Sequence, residues 1–328
     1  MANFSFGGVE SKIPARHRGT AALLLVIAGS LGIQASTAIL STLFADFSPL
    51  TVAGLRMGAA AVILFAFVRP NPFTLKKNDW PQVLVYSVVV TLMTMGYFQA
   101  VNYLPLGIVV TIEYLGAFGV SLLGVRRWRD GLLSIGALLG VVLIAGPTFE
   151  PAQVKGYLFA GLSACSMAGY TILSARMGNG SPAVAGLKGL TLSICCTAIY
   201  FAPFSVPALS HLEAGDWVRV LVGGALGVAF AYSADALAGR LTSAAVIGVL
   251  FSLDPVNGAL IGILLLGQVL PVWAYLGILL IAISGAVLVW KTNRSAIAVH
   301  ANTAVLEAIV STKTGQLPII DQKHIKNS

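Results

Sequence analysis

The distribution of apolar residues limits what this chain can fold into more than any other feature of its sequence. Crossing a bilayer core of about 30 Å as a helix takes about 20 predominantly apolar residues. Ten stretches have a suitable length and composition: 19–42, 49–69, 80–102, 104–124, 131–147, 156–175, 182–203, 216–238, 241–267 and 271–290. The pattern predicts an all-α, polytopic membrane protein with ten transmembrane helices.

The composition excludes a soluble globular protein. Of the 328 residues, 57% are hydrophobic and 10% are charged, whereas charged residues make up about 25% of a typical soluble domain. The formal net charge of +8 does not indicate nucleic-acid binding, because the basic residues are not gathered into one segment. The expected partner of the chain's surface is therefore the lipid bilayer.

A sequence echo indicates that the chain arose by duplication. The pentapeptide Val-Ala-Gly-Leu-Arg at 52–56 returns as Val-Ala-Gly-Leu-Lys at 184–188, each copy shortly after a Ser-Pro pair. Upstream, Ile-Leu-Ser at 39–41 returns at 172–174. We predict two five-helix repeats, within 19–147 and 156–290. Repeats in a polytopic membrane protein are typical of transporters that bind their substrate between them.

The basic residues predict the orientation of the repeats, since loops rich in Lys and Arg stay cytoplasmic. These residues lie in the amino-terminal tail, the even-numbered loops and the carboxyl end, and the odd-numbered loops hold only Lys155. Both termini are therefore predicted to be cytoplasmic tails, at 1–18 and 291–328, the second expected to be disordered. Because five spans is an odd number, the repeats must be inverted, which places the substrate near the bilayer midplane.

Polar side chains within the spans are the candidates for the functional site, since a charge at the bilayer centre costs about 3 kcal/mol on insertion scales. The predicted substrate- and proton-binding residues are Glu113, Asp254, Asp235, Gln34, Tyr97, Tyr170, Tyr232 and Asn257. The acids could carry protons or pair with a substrate ammonium. Pro255, after the ninth-span acid, leaves carbonyls unpaired, which indicates a cavity wall. The alternative for each acid is a structural hydrogen bond between helices.

Two basic residues end the duplicated pentapeptide, Arg56 in the first copy and Lys188 in the second. Each follows its proline by only six or seven residues, so each lies near a helix boundary. Long basic side chains in such places extend their charged ends towards the membrane surface. We therefore predict that both are structural charges that snorkel.

The sequence offers no catalytic, metal or cofactor site. The histidines lie in tails or a loop, and the three cysteines have no metal-ligand spacing. We expect those cysteines to be small buried hydrophobic residues. No Gly-rich phosphate-binding loop precedes a Lys-Ser or Lys-Thr pair, and no charged ring or carbonyl filter typical of a channel is evident. A transporter driven by an ion or substrate gradient is favoured over a membrane enzyme or a channel.

An ordered set of motifs within residues 20–290 supports that preference. The motifs are Ser48-Pro49 with Leu55-Arg56, Pro105-Leu106-Gly107-Ile108 with Glu113, Ala164-Cys165 with Tyr170 and Leu173-Ser174, Ala231-Tyr232-Ser233 with Asp235, and Asp254-Pro255. With the five-plus-five layout, this order resembles the drug/metabolite transporter superfamily, EamA type. Within it, the chain resembles the bacterial inner-membrane threonine/homoserine exporters. The resemblance implies a multi-pass protein of the cell inner membrane that is not an enzyme.

Three positions depart from the pattern of that subgroup. Ala117 stands where a proline is expected after the fourth-span acid, and the tryptophan usual near Cys165 is missing. At the end of the ninth span, Gln268 stands where the family usually has a glutamate. The missing aromatic residue would line the expected cavity, so the substrate can differ from that of the subgroup.

Together these features predict a secondary active transporter that exports small polar metabolites, threonine- or homoserine-like amino acids above all, in exchange for protons. The alternative is an exporter or importer of another metabolite class, such as a nucleoside, a nucleotide sugar or a drug. A membrane-embedded enzyme or a channel is less favoured. The expected partners are a small-molecule substrate, the proton and the bilayer, with no nucleic acid, and a homodimer is left open.

Overall fold

The computed structural model of the protein describes most of the predicted membrane region. The described residues are 18–71, 77, 79–123, 135–136, 139–140, 142–144, 151–178, 187–241 and 253–287. Apart from Arg18, the two predicted tails lie outside the described residues, as does most of the predicted fifth span. The boundaries predicted for the tails and for the two repeats remain predictions.

The described residues form helices and connecting turns, with no β-strand among them. The first half of the chain contains α1 (Arg18–Ser41), α2 (Pro49–Val68), α3 (Trp80–Val101) and α4 (Leu106–Leu123). The second half contains α5 (Pro151–Gly178), α6 (Leu187–Ser205), α7 (Ala214–Gly224), α8 (Ala231–Leu241), α9 (Asp254–Leu266) and α10 (Val272–Val287). A π-helical turn at Ala225–Phe230 joins α7 to α8 within the predicted eighth span.

Six helical segments of the described chain are long and apolar enough to cross a membrane. They are Thr20–Ala45, Pro49–Val68, Trp80–Val101, Gln153–Leu173, Leu187–Ser205 and Ala214–Asp235. Helices α4, α9 and α10 contain shorter apolar segments, and the fifth predicted span is helical at 135–136, 139–140 and 142–144. An all-helical membrane protein is therefore confirmed, whereas the count of ten transmembrane helices remains a prediction.

The burial pattern is the reverse of that in a soluble protein. Val62 and Phe67 are each 71% exposed on α2, while the polar side chains of Ser36 and Thr111 are fully buried. In a bilayer the outer surface faces hydrocarbon, and polar groups in the interior must find partners within the protein. The apolar exterior is therefore the surface that lipid covers.

The helices pack mainly between the two halves of the chain, and the pairs repeat. In this comparison α1, α3 and α4 of the first half correspond to α5, α8 and α9 of the second. The contact of α3 with α5 thus matches that of α8 with α1, and the contact of α4 with α5 matches that of α9 with α1. Likewise α3 contacts α6, and α7 contacts α2. Each contact thus has a counterpart in which the two halves exchange roles, as expected when a pseudo-twofold axis relates the repeats. The contacts α2–α6 and α4–α9 are their own counterparts.

Small residues bring the paired helices close together. A Cβ atom on Gly107 would lie 2.7 Å from the Cα atom of Ala259, at the α4–α9 contact. A Cβ atom on Gly140, in the predicted fifth span, would lie 2.9 Å from the carbonyl oxygen of Gly277 on α10. Backbones can approach this closely only where side chains are absent or small.

Helix α2 begins where its sequence predicts. Ser48 has extended backbone angles, its Oγ accepts a hydrogen bond of 3.2 Å from the Thr51 N–H, and Pro49 follows at the first helical position. A serine cap and a proline without an N–H both suit a helix start. The second copy of this Ser-Pro pair, at 181–182, lies outside the described residues.

The first part of the predicted ninth span, 241–267, lies mostly outside the described residues. Residue 241 is the last residue of α8, and residues 242–252 lie outside the described residues. Helix α9 begins at Asp254, directly before Pro255, with Leu253 in a turn. Asp254 therefore lies at the start of the described helix rather than in the centre of a long one, because proline has no N–H and suits the first turn.

Candidate functional site

A cavity of about 100 Å³ lies between the two halves of the chain. Seven helices from both halves line it, namely α1 to α5, α8 and α9. The lining residues are Ser30, Ile33, Gln34, Arg56, Met57, Met93, Thr94, Tyr97, Val110, Glu113, Tyr114, Met167, Tyr170, Tyr232, Asp235 and Asp254. Seven of the eight predicted site residues are among them. A site between the repeats is the arrangement typical of transporters built from repeats.

Two carboxyl groups face this cavity, one from each half of the chain, and each accepts a hydrogen bond from a serine. Ser163 Oγ donates to Glu113 Oε1 at 2.6 Å, and Ser30 Oγ donates to Asp254 Oδ1 at 2.5 Å. Ser30 and Ser163 are 133 residues apart, the same offset that relates the Ile-Leu-Ser copies at 39–41 and 172–174. The serine–carboxyl contact is therefore duplicated along with the repeat.

The two serines have further partners that differ between the copies. Ser163 Oγ also lies 3.1 Å from the carbonyl oxygen of Met93. Because a hydroxyl carries one proton, it donates to this carbonyl or to Glu113 but not fully to both. Ser30 Oγ instead accepts a hydrogen bond of 2.9 Å from Asn257 Nδ2. Asn257, the eighth predicted residue, thus lies outside the cavity lining and orients Ser30 from α9.

Asp235 is the third acid of the cavity, and it has a different environment. Its Oδ1 atom is buried without a hydrogen-bond partner among the described residues. The atom lies beside α1, where a Cβ atom on Gly29 would be 3.4 Å from it. A buried carboxyl oxygen without a donor is costly in an apolar setting. Asp235 therefore has a free acceptor position beside the cavity.

The predicted polar and aromatic residues form two further groups on the cavity wall. Tyr97 and Gln34 are almost fully buried, and the Tyr97 hydroxyl donates to Gln34 Oε1 at 2.8 Å. The rings of Tyr170 and Tyr232 lie 6.3 Å apart, and Tyr86 continues the row with its ring 5.4 Å from that of Tyr170. The cavity therefore offers aromatic faces beside its carboxyl groups.

Arg56 does not snorkel, so that prediction is wrong. The side chain is 4% exposed and lines the cavity, and its Nη2 donates to the Gly227 carbonyl oxygen at 2.9 Å. Its Cζ atom lies 5.3 Å from the centre of the Phe98 ring, within range of a cation–π contact. Lys188, at the corresponding position of the second repeat, is exposed, and its extension towards the membrane surface stays a prediction. Arg56 lies in the wall where the two repeats meet, which sequence spacing alone did not indicate.

No cluster of three potential metal-ligating side chains occurs among the described residues. The three cysteines are free thiols, Cys195 and Cys196 being half-buried and Cys165 exposed. The prediction that all three are buried is therefore wrong. Cys165 is exposed on α5, whereas its neighbour Ala164 packs against the core.

The comparison with known sequences decides the family. The EamA-like transporter family matches the chain twice, over residues 20–149 and again over residues 154–290. The chain belongs to the EamA-like transporter family. Each half of the chain carries one copy, so the protein is a membrane transporter and not an enzyme.

Individual relatives agree with this assignment. A threonine/homoserine exporter, RhtA, of Salmonella typhimurium strain SL1344 is 28% identical over 258 residues, which cover 76% of this chain and 84% of the relative. The protein of the same name from Escherichia coli strain K12 is 26% identical over the same lengths. A solved crystal structure that is 21% identical covers 84% of this chain and 96% of its own, with a TM-score of 0.53. That structure supports the fold alone.

One departure from the family pattern has a structural explanation. Gln268 follows α9 where a glutamate is usual, and its Oε1 accepts a hydrogen bond of 3.0 Å from the Leu106 N–H. Leu106 is the first residue of α4, and the first N–H groups of a helix lack partners within it. Gln268 therefore caps the helix that carries Glu113, a role that needs only an acceptor oxygen and no charge.

Several residues of the site in this EamA-type chain are not among those predicted from its sequence. Ser30 and Ser163 were not predicted, although the repeat offset relates them and could have identified the pair. The other lining residues outside the predicted set are the neutral side chains Ile33, Met57, Met93, Thr94, Val110, Tyr114 and Met167. Neutral side chains of these types occur throughout the spans, so nothing in their sequence context distinguishes those that face the cavity.

Replacing Tyr97 by Phe is expected to reduce both stability and transport. The substitution removes the hydrogen bond from the Tyr97 hydroxyl to Gln34 Oε1, and the loss of a donor to a buried acceptor costs about 1–3 kcal/mol. We expect the purified Tyr97→Phe protein to melt at a lower temperature than the wild type and to transport substrate more slowly at equal expression. Tyr275→Phe, on the partly exposed face of α10, is the control and should change neither value. Wild-type behaviour of Tyr97→Phe would contradict a role for this hydrogen bond.

Proposed function

We propose that this protein exports small polar metabolites, amino acids of the threonine or homoserine kind, in exchange for protons across the bacterial inner membrane. Membership of the EamA-like family supports an exporter, and relatives named threonine/homoserine exporters support this substrate class. The substrate and the coupling ion are the parts of the proposal that need a direct test.

The observation that carries the proposal is the duplicated serine–carboxyl contact. Glu113 and Asp254 come from corresponding helices, α4 and α9, and both line the cavity described above between the repeats. Among the described residues the single ion pair is between Arg219 and Asp216, away from this cavity, so neither acid forms a direct ion pair there. A carboxyl group that has no fixed counter-ion can gain and lose a proton as its access to water changes from one side to the other.

The cavity also suits a small ligand with polar and apolar parts. Its volume of about 100 Å³ is small, and its wall combines carboxyl groups, tyrosine hydroxyls and methionine side chains. Methionine is adaptable in shape and can fit ligands that differ in side chain. These features favour a small metabolite over a nucleotide sugar, the larger alternative.

The test is a transport assay with the purified full-length protein in proteoliposomes. Labelled threonine, homoserine, a nucleoside and a sugar are supplied, with and without an imposed pH gradient across the membrane. We expect saturable uptake of the amino acids that is accelerated by the gradient, and none of the others. Transport of the nucleoside or sugar alone would contradict the substrate class, and amino-acid uptake insensitive to the pH gradient would contradict proton exchange.

The proposed orientation places both termini in the cytoplasm and inverts the repeats. The exchange of roles between the helix pairs of the two halves supports a pseudo-twofold relation, and the distribution of Lys and Arg supports the side of the membrane. A reporter that is active only in the cytoplasm should give signal when fused after residue 128 and none when fused after residue 210. The reverse pattern, measured at equal expression, would contradict the proposed orientation.

A further inference from the structure

We infer that Arg56 and Asp235 bind the two charged groups of a zwitterionic α-amino acid, the guanidinium receiving its carboxylate and the Asp235 carboxylate receiving its ammonium. The inference rests on the proposed function and deepens it, because it assigns the ligand's charges to two side chains. Both residues line the cavity between the repeats.

Arg56 is a buried cation whose hydrogen-bonding capacity is only partly used. Its Nη2 donates to Gly227 O, while its Nε has no partner among the described residues. No carboxylate of the described residues lies within ion-pair distance of it. A buried charge without a counter-ion is strongly unfavourable, and the planar guanidinium matches a carboxylate, which it can bind through two parallel hydrogen bonds. The ligand carboxylate would supply the missing anion.

Asp235 is distinguished from the other two cavity acids by its free oxygen. Glu113 and Asp254 each accept a hydrogen bond from a serine hydroxyl, whereas Asp235 Oδ1 is buried with no partner among the described residues. An ammonium group carries three N–H donors and a positive charge, so it satisfies such an oxygen better than a neutral donor does. The ammonium of the ligand therefore belongs at Asp235.

The two groups lie beside the same segment of the second half of the chain. Arg56 Nη2 donates to the carbonyl oxygen of Gly227 in the π-helical turn. The Cβ position of Gly29 lies 3.4 Å from Asp235 Oδ1 and 3.5 Å from the carbonyl oxygen of Ala231, the first residue of α8. The guanidinium and the carboxyl group therefore both line the cavity along residues 227–235.

The test removes each charge from the ligand and from the protein in turn. Binding to the full-length protein in lipid nanodiscs is measured by calorimetry for homoserine, for the amino alcohol that lacks its carboxylate, and for the hydroxy acid that lacks its ammonium. For the wild type, either deletion should weaken binding about 10- to 100-fold, because a charged hydrogen-bonding group loses its partner. This ligand series needs no variant and is unaffected by any folding defect.

The variants then assign each charge to its residue. Arg56→Gln should weaken homoserine binding about 10- to 100-fold yet leave the affinity for the amino alcohol within about twofold of the wild type. Asp235→Asn should weaken homoserine binding to a similar extent and leave the affinity for the hydroxy acid, which lacks the ammonium, within about twofold of the wild type. Lys188→Gln, which alters the exposed counterpart of Arg56 in the second repeat, is the matched control and should bind homoserine as the wild type does.

Each other result has a defined meaning. If Arg56→Gln weakens binding of the amino alcohol as much as that of homoserine, its effect is structural and the inference is overturned. Equal wild-type affinity for homoserine and the amino alcohol would overturn it as well. If the protein transports amino acids but the effects of each ligand change and of each substitution on the binding free energy simply add, the inference is rejected. The proposed function would then still stand. A wild type that neither binds nor transports any of the three compounds would reject both.

Discussion

Replacing Glu113 by Gln, or Asp254 by Asn, is expected to abolish proton-driven accumulation of substrate and to leave exchange of labelled for unlabelled substrate intact. Exchange needs no net proton movement, whereas accumulation against a gradient does. Each substitution keeps the size of the side chain and its ability to accept from Ser163 or Ser30. A neutral amide is also easier to bury than an ion, so the proteins should remain folded in the membrane.

The measurement compares both reactions in the same proteoliposomes. The control is Asp46→Asn, which removes an exposed acid between α1 and α2 that does not line the cavity; this variant should accumulate substrate normally. Loss of exchange along with accumulation would assign the altered acid to substrate binding, the role we infer for Asp235. Normal rates of both reactions in both variants would leave these acids with only a structural role.

The membrane fold of this protein follows from its sequence to a large extent, for a physical reason. A helix in hydrocarbon needs a long apolar run, and such runs are visible in one sequence because few charges interrupt them. Helices α2 and α3 therefore lie within about two residues of their predicted limits. The apolar run of the predicted ninth span continues through residues 242–252, which lie outside the described residues, and the turn at Leu253 before α9 is not visible in composition alone.

The acids of the site were predictable because a charge in a membrane span is rare and usually functional. Seven of the eight predicted residues line one cavity. The duplication had indicated that the site lies between the repeats, where side chains from both halves can meet. The serines were not predictable from polarity alone, since a hydroxyl is tolerated in a membrane helix when it bonds to its own backbone, as Thr111 does. Their significance comes from the carboxyl groups opposite them.

Arg56 shows where sequence spacing is insufficient. Its short distance from Pro49 suggested that the side chain could reach the membrane surface, yet it is buried between α2 and the π-helical turn. That position depends on Gly227, where a side chain would collide with Ser36 and Arg56. The glycine lies 171 residues away in the chain, so the space that receives the guanidinium is a property of the packed repeats.

A second large effect is expected from adding a single methyl group at the α4–α5 contact. A Cβ atom on Gly116 would collide with the carbonyl oxygen of Ala164 and lie 3.0 Å from the Ala168 nitrogen. Both are backbone atoms of α5, so the clash cannot be relieved by rotating a side chain. Gly116→Ala must therefore push apart the two helices that carry Glu113 and Ser163.

We expect Gly116→Ala to cost about 1–3 kcal/mol, as overpacking of a tight interface does, and to abolish accumulation because the hydrogen bond between Ser163 and Glu113 breaks. Gly119→Ala is the matched control on the same helix: a Cβ atom there has nothing within 4 Å, so this variant should keep wild-type transport and melt no lower, since alanine favours helix over glycine. The melting temperature and the transport rate of the two variants are measured side by side. Equal melting temperatures would mean that α4 and α5 can separate without cost. A destabilised Gly116→Ala protein that still accumulates substrate would show that the Ser163–Glu113 contact is dispensable for proton exchange.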